Sequence, residues 1–189
     1  MPGEVRVVTD ARLEYGEGLI TRENCGRVAT VTLNRPGRRN ALDRLTLVSL
    51  SQALSDLRTD ASVRVVVLTG EGSAFCAGVD ISPDARRTFY GHPQPIERLY
   101  QEHGQSIVRA LQSLPQVTVA RVNGPAIGWG ACLATCCDFR VVDERAFFRI
   151  PEIGLGMYYD VSCLYGLVAL VGAAEAKRMT MIGVDVCAH

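Results

Sequence analysis

Apolar and polar residues alternate along Leu19–Glu23 and again along Arg27–Leu33, with Asn24-Cys25-Gly26 between them, a pattern that predicts a β-hairpin. Asn34-Arg35-Pro36-Gly37 ends the second strand, and either Asn40 or Asp43 caps the helix that follows. Leu42, Leu45, Leu47, Leu50, Ala53, Leu54 and Leu57 form its apolar stripe. Asp60–Val63 turns the chain into a β-branched strand, Arg64–Thr69. Strand, helix and strand at this spacing make a βαβ unit with a right-handed crossover.

The pattern weakens over Ser82–Pro95, which reads as a surface loop, and returns as a helix over Ile96–Leu114, stopped by Pro115. A second β-branched run, Val117, Thr118, Val119 and Val122, ends at Asn123-Gly124-Pro125. Gly128 and Gly130 flank Trp129, and Ala131, Cys132, Leu133 and Ala134 then read as a short buried helix. Further strands are expected over Phe139–Val142 and Ala146–Ile150. An apolar helix opens at Asp160 and runs to about Val171, and another covers Ala173–Met181. Residues 1–12 read as a flexible arm on one domain spanning 1–189. Repeated strand-turn-helix units imply an α/β protein with a largely parallel sheet. Periodicity leaves a doubly wound sheet and a spiral arrangement equally open.

Composition narrows the function classes. With 20 basic and 20 acidic side chains in 189 residues, there is no electrostatic case for nucleic acid or an anionic membrane. The longest apolar run, Val161–Ala174, is too short to span a bilayer. Seven cysteines occur without a C-x-x-C pair or a neighbouring histidine, so neither a zinc site nor another metal is expected. Cys76, Cys132, Cys136 and Cys137 read as small buried thiols of a protein kept in a reducing cytoplasm. Gly70-Glu71-Gly72 starts a dinucleotide fingerprint, but Phe75 stands where its third glycine belongs. A serine hydrolase is disfavoured, since there is no G-x-S-x-G, and His92, His103 and His189 lie outside the motif regions.

Candidate chemistry sits in two small-residue loops. Ala77-Gly78-Val79-Asp80 follows the Arg64–Thr69 strand and allows close backbone approach. The helix beginning near Gly128–Gly130 offers first-turn N–H groups backed by its dipole, suited to a developing negative charge. A glycine turn that only packs a helix on a sheet is the competing reading of that second loop.

VATVTLNRPGRRNALD (Val28–Asp43), FCAGVD (Phe75–Asp80) and NGPAIGWG (Asn123–Gly130) occur in this order. Together they resemble the enoyl-CoA hydratase/isomerase (crotonase) superfamily. The resemblance implies a ββα superhelical core and no cofactor beyond a coenzyme A thioester as substrate. It implies an oxyanion hole from the backbone N–H groups of Val79 and Trp129, and contacts to CoA or substrate from Arg39, Ala41, Leu42, Ala77, Asp80 and Ile81. The indole of Trp129, which replaces a glycine, is positioned to crowd the thioester.

Family hydratases use two glutamates. One of those positions is Cys132 here, which counts against two-carboxylate water addition. The other falls in Pro151-Glu152-Ile153, making Glu152 the leading catalytic residue. The run from Gly156 to Gly172 resembles the dienoyl-CoA isomerase branch and adds Asp160 as a second proton carrier or, alternatively, a helix N-cap. Tyr158 and Tyr159 replace small residues there and would shorten the acyl pocket. The inventory favours moving a double bond over adding water. A catalytically silent acyl-CoA-binding or assembly protein is the rival reading. The resemblance also places a further helical subdomain beyond Gly183–His189, one that completes a homotrimer or hexamer.

Overall fold

A computed structural model describes residues 9–85, 104–157, 159 and 161–188. Asp160, Tyr158, the three histidines, and most of the expected 82–95 loop and the start of the following helix lie outside the described residues.

The hairpin forms from β2 (Ile20–Cys25) and β3 (Val28–Leu33), in register from Ile20 opposite Leu33 to Cys25 opposite Val28. β1 (Thr9–Tyr15) pairs antiparallel with β2, so residues 9–12 belong to the sheet rather than to a loose arm. β3 then runs parallel to β4 (Val65–Gly70), β4 to β5 (Val117–Val122) and β5 to β7 (Phe139–Val142). The six strands lie in the order β1-β2-β3-β4-β5-β7. Alternate residues face inward: Ala29, Val31 and Leu33 on β3, Val66 and Leu68 on β4, Ala120 and Val122 on β5 are all buried.

Helix α1 (Arg44–Thr59) crosses from β3 to β4 and buries Leu47, Leu50, Ala53, Leu54 and Leu57. Asp43, rather than Asn40, caps it. Its carboxylate accepts from Thr46 N at 2.8 Å and Thr46 Oγ1 at 2.7 Å, a cap worth about 1 kcal/mol. Helix α2 (Gln105–Ser113) packs on α1 and precedes β5. Gln116 ties that junction by donating to the Leu57 carbonyl at 2.7 Å.

The second half repeats one unit. β5 is followed by the two-residue β6 (Ala126–Ile127) and α3 (Trp129–Cys136). β7 is followed by β8 (Phe147–Arg149) and α4 (Val161–Lys177). In each unit the first strand joins the large sheet and the second joins a small sheet, β6-β8-β9, where β9 is Val186–Cys187. This is the ββα spiral, and it resolves the choice that periodicity left open. Gly172, at φ 78° and ψ 163°, is non-helical and divides α4 into two helices, the break that the sequence pattern expects between Val171 and Ala173.

Among the described residues no helix is long and apolar enough to cross a membrane.

Candidate functional site

Three parallel strands, β3, β4 and β5, release their loops at the same edge of the sheet, and two asparagines, Asn40 buried and Asn123 half-buried, stitch those loops together. Asn40, fully buried, donates its amide to the carbonyls of Glu71 at 2.9 Å, Ala74 at 2.8 Å and Phe75 at 3.3 Å, and accepts from Arg35 N at 2.9 Å. Asn123 donates to the Gly72 carbonyl at 2.9 Å and accepts from Gly70 N at 3.2 Å. Asn40 lies at φ 57°, a left-handed conformation that asparagine tolerates better than most side chains. Sequence reasoning saw Asn40 only as a possible cap and Asn123 only as a turn residue. Nothing in local spacing signals carbonyl partners more than thirty residues away.

The Cys76–Asp80 loop is laced to the segment after β3. Ala77 N donates to Arg39 O at 2.9 Å, Leu42 N to Gly78 O at 2.8 Å and Asp80 N to Leu42 O at 2.9 Å. This parallel bridge turns the intervening Val79 N–H away, and it has no protein acceptor among the described residues. The loop also meets the start of α3, because Ile127 N donates to Cys76 O at 2.9 Å. Gly78, at φ 86°, permits the approach: a β-carbon there would lie 2.6 Å from Ile127 O and 3.4 Å from Trp129 N. The two backbone amides singled out by resemblance therefore belong to touching loops. Trp129 opens α3, so its N–H is among those a helix does not use internally.

Glu152 arrives from the small sheet. Gly128 N donates to Arg149 O at 2.8 Å, pinning the end of β8 beside the α3 turn. Three residues on, the Glu152 carboxylate lies against Gly128: a β-carbon on that glycine would sit 2.9 Å from Oε1. Oε2 is buried without a hydrogen-bond partner. Burial raises the carboxyl's pKa above its ordinary value, opposed in part by the residue's own backbone N–H. A carboxylate whose pKa is raised is a stronger base than an exposed one.

The other singled-out residues separate clearly. Arg39 and Ile81 are exposed and Ala77 is half-buried, so they border open space near the loops. Ala41 and Leu42 are buried, Leu42 completely. Asp80 is committed internally, to Arg35 at 2.9 Å and Ser82 N at 3.0 Å. Burial alone would raise its pKa, but those hydrogen bonds and the guanidinium bring it below the usual range. The Trp129 indole packs against Gly104 at the start of α2, where a β-carbon would come within 2.7 Å of the ring, so the side chain fills the core.

Cys132 departs from expectation. It is bonded to Cys163 of α4 in a disulfide, with Cα atoms 5.5 Å apart, rather than being a reduced thiol. Cys163 carried no signal in the sequence, because only the α3–α4 packing brings it there. Cys76 does match the buried-thiol expectation: burial pushes its thiol pKa up to about 12, and it donates to Asn40 O at 3.2 Å.

Comparison with known proteins finds relatives of this chain and of its fold. A family model described as enoyl-CoA hydratase/isomerase matches residues 23–189. A Mycobacterium leprae protein described as probable enoyl-CoA hydratase echA12 is 42% identical over 165 residues, covering 86% of this chain and 56% of that protein. A crotonyl-CoA hydratase from Syntrophomonas wolfei is 34% identical over 155 residues, 81% of this chain and 57% of its own length. The crystal structure of an enoyl-CoA hydratase/carnithine racemase from Magnetospirillum magneticum superposes with a TM-score of 0.82 at 30% identity. The match covers 90% of this chain and 63% of that one. The chain thus spans little more than half the length of the two sequence relatives.

Proposed function

The chain belongs to the enoyl-CoA hydratase/isomerase family, and from that premise we propose that it binds an acyl-CoA thioester and moves a proton on the acyl chain. The N–H groups of Val79 and Trp129 receive the thioester oxygen as it gains charge. Fixed backbone dipoles need no reorganisation during the reaction, which is why such donors stabilise an enolate well. Glu152 removes the α-proton and returns it elsewhere on the chain. Arg39, Ala77 and Ile81 border the path of the CoA moiety, and Ala41, Leu42 and Asp80 support it through the backbone. No cofactor beyond the CoA thioester is called for.

The observation that carries this reading is the contact of the Glu152 carboxylate with Gly128, the residue before Trp129. It supports Glu152, whose carboxyl pKa is raised by burial, as the proton carrier beside the loop proposed to hold the oxyanion. We favour double-bond isomerisation over hydration, because Cys132, at the position of the hydratases' other glutamate, is bonded to Cys163 and has no proton to transfer. Asp160 is the proposed second proton carrier. Assembly into a trimer or hexamer would cover some of the exposed apolar residues, among them Tyr165, Leu170, Met181 and Ile182.

The same disulfide favours a second reading, a member that binds acyl-CoA without turnover. The test is exchange of the α-proton of a saturated acyl-CoA in heavy water, by the protein and by Glu152→Gln. Exchange that vanishes in the variant supports enolate chemistry with Glu152 as base. No exchange by a folded sample that binds the thioester overturns the enzymatic reading and leaves the silent one.

A further inference from the structure

The disulfide has a third sulfur beside it. Cys136 lies one turn after Cys132 on α3, and its Sγ is within 4.8 Å of both bonded sulfurs. Exposure differs across the three: Cys132 and Cys163 are 0% exposed, Cys136 is 8%. Gln112, an exposed residue of α2, reaches over the Cys136 sulfur, its Nε2 4.0 Å away. Cys136 is thus buried too, but it is the one member of the cluster that keeps some exposure and has an exposed side chain at its sulfur. An external thiol must touch a sulfur to exchange with it, and neither bonded sulfur is reachable in the folded protein.

We propose that Cys132, Cys136 and Cys163 form a thiol–disulfide exchange centre in which Cys136 is the port between solvent and the buried bridge. In the first step the Cys136 thiolate attacks Cys163 Sγ. A Cys136–Cys163 bond forms and the Cys132–Cys163 bond breaks. Cys132 leaves as a thiolate and takes up the proton Cys136 gave up, with no net oxidation. Helices α3 and α4 stay tied throughout, and a thiol appears at position 132, three residues after Trp129. In the second step a small dithiol attacks the Cys136 sulfur, forming a mixed disulfide and releasing Cys163 as a thiol. The dithiol's other sulfur closes its ring and expels Cys136. The dithiol loses two electrons and the protein bridge gains them. This inference is independent of whether the protein turns over acyl-CoA.

The test uses the whole 189-residue chain and dithiothreitol. Samples reduced under native conditions are quenched with acid, denatured, alkylated with iodoacetamide and mapped by mass spectrometry. The unreduced chain is expected to show Cys132 linked to Cys163. At limiting dithiothreitol it should pass through a species linked between Cys136 and Cys163, with Cys132 alkylated. Cys136→Ser should keep the original bridge but lose its native-state reduction rate by about tenfold or more, with wild-type and variant equal in guanidinium. Cys136→Ala is the second variant and should behave alike. Reduction of both variants at the wild-type rate overturns the proposal, as does an unreduced chain in which Cys132 and Cys163 are both alkylated.

Discussion

The carboxylate of Glu152 occupies the space that a side chain on Gly128 would need. A β-carbon at position 128 would lie 2.9 Å from Oε1, and the glycine holds φ 53°, a conformation that side chains disfavour. Gly128→Ala should therefore cost about 1–3 kcal/mol in backbone strain and push the carboxylate off its position. Proton exchange should fall by about 100-fold, the scale of an ångström's misplacement. Thermal unfolding and the heavy-water exchange assay measure the two effects separately.

The pH behaviour of Glu152 has a definite sign. Its folded-state pKa is raised by burial, so the folded protein holds that proton to higher pH than the unfolded chain does. The stability it contributes is fully present below the unfolded pKa and is lost as pH rises through the folded one. Glu152→Gln should accordingly be more stable than wild type in alkaline buffer, read as a higher Tm, and the gap should close on acidification. As a base, Glu152 should shift the acid limb of the exchange rate to higher pH than an exposed carboxylate would, and the variant should lack that limb.

Asn40 joins two loops through four hydrogen bonds in a fully buried position. Asn40→Ala should destabilise the protein by about 3 kcal/mol, at about 1 kcal/mol for each of its two N–H groups and for its accepting oxygen. It should also weaken acyl-CoA binding, because the Val79 loop loses its anchor. Calorimetry on the thioester and thermal melts check both. Asn40→Asp should be no milder, since an acceptor then faces three carbonyl groups.

Trp129 and Gly104 form a size-matched pair, the indole lying where a β-carbon on residue 104 would come within 2.7 Å. Gly104→Ala should cost about 1–3 kcal/mol by overpacking. In a Trp129→Phe background the penalty should shrink, giving a coupling of at least about 1 kcal/mol in a double-mutant cycle of thermal stabilities. Trp129→Phe keeps the backbone donor, so exchange should survive it.

Most of the fold was legible because its signals are local. Alternation in β2 and β3, the stripe on α1 and the turn chemistry of Asn123-Gly124-Pro125 each act within a few residues. The spiral was not legible from periodicity, since β6 has two residues and β8 three, too few for any alternation to register. The start of β1 was missed because Thr9–Arg12 gains its order from pairing with β2, a neighbour that the pattern at the N-terminus does not reveal. The site divides the same way. Glu152 and the two glycine loops were visible as motifs, whereas the partners of Asn40 and the Cys132–Cys163 bridge depend on tertiary packing. Asp80 was expected near a ligand, yet it serves Arg35 and Ser82 inside the loop.

The small sheet carries a consequence for positional accuracy. Ile127 pairs with Arg149, and Gly128 N bonds to Arg149 O. The placement of Glu152 thus rests on one register between a strand of two residues and a strand of three. A slip of a single residue would carry the carboxylate about 3.3 Å along β8 and turn alternate side chains to the opposite face. Cys187 and Val186 of β9 pair with Phe147 and Phe148 on the other edge of β8, and so help to lock that register. β9 therefore acts as a ruler, holding through the register of β8 the distance between Glu152 and Gly128.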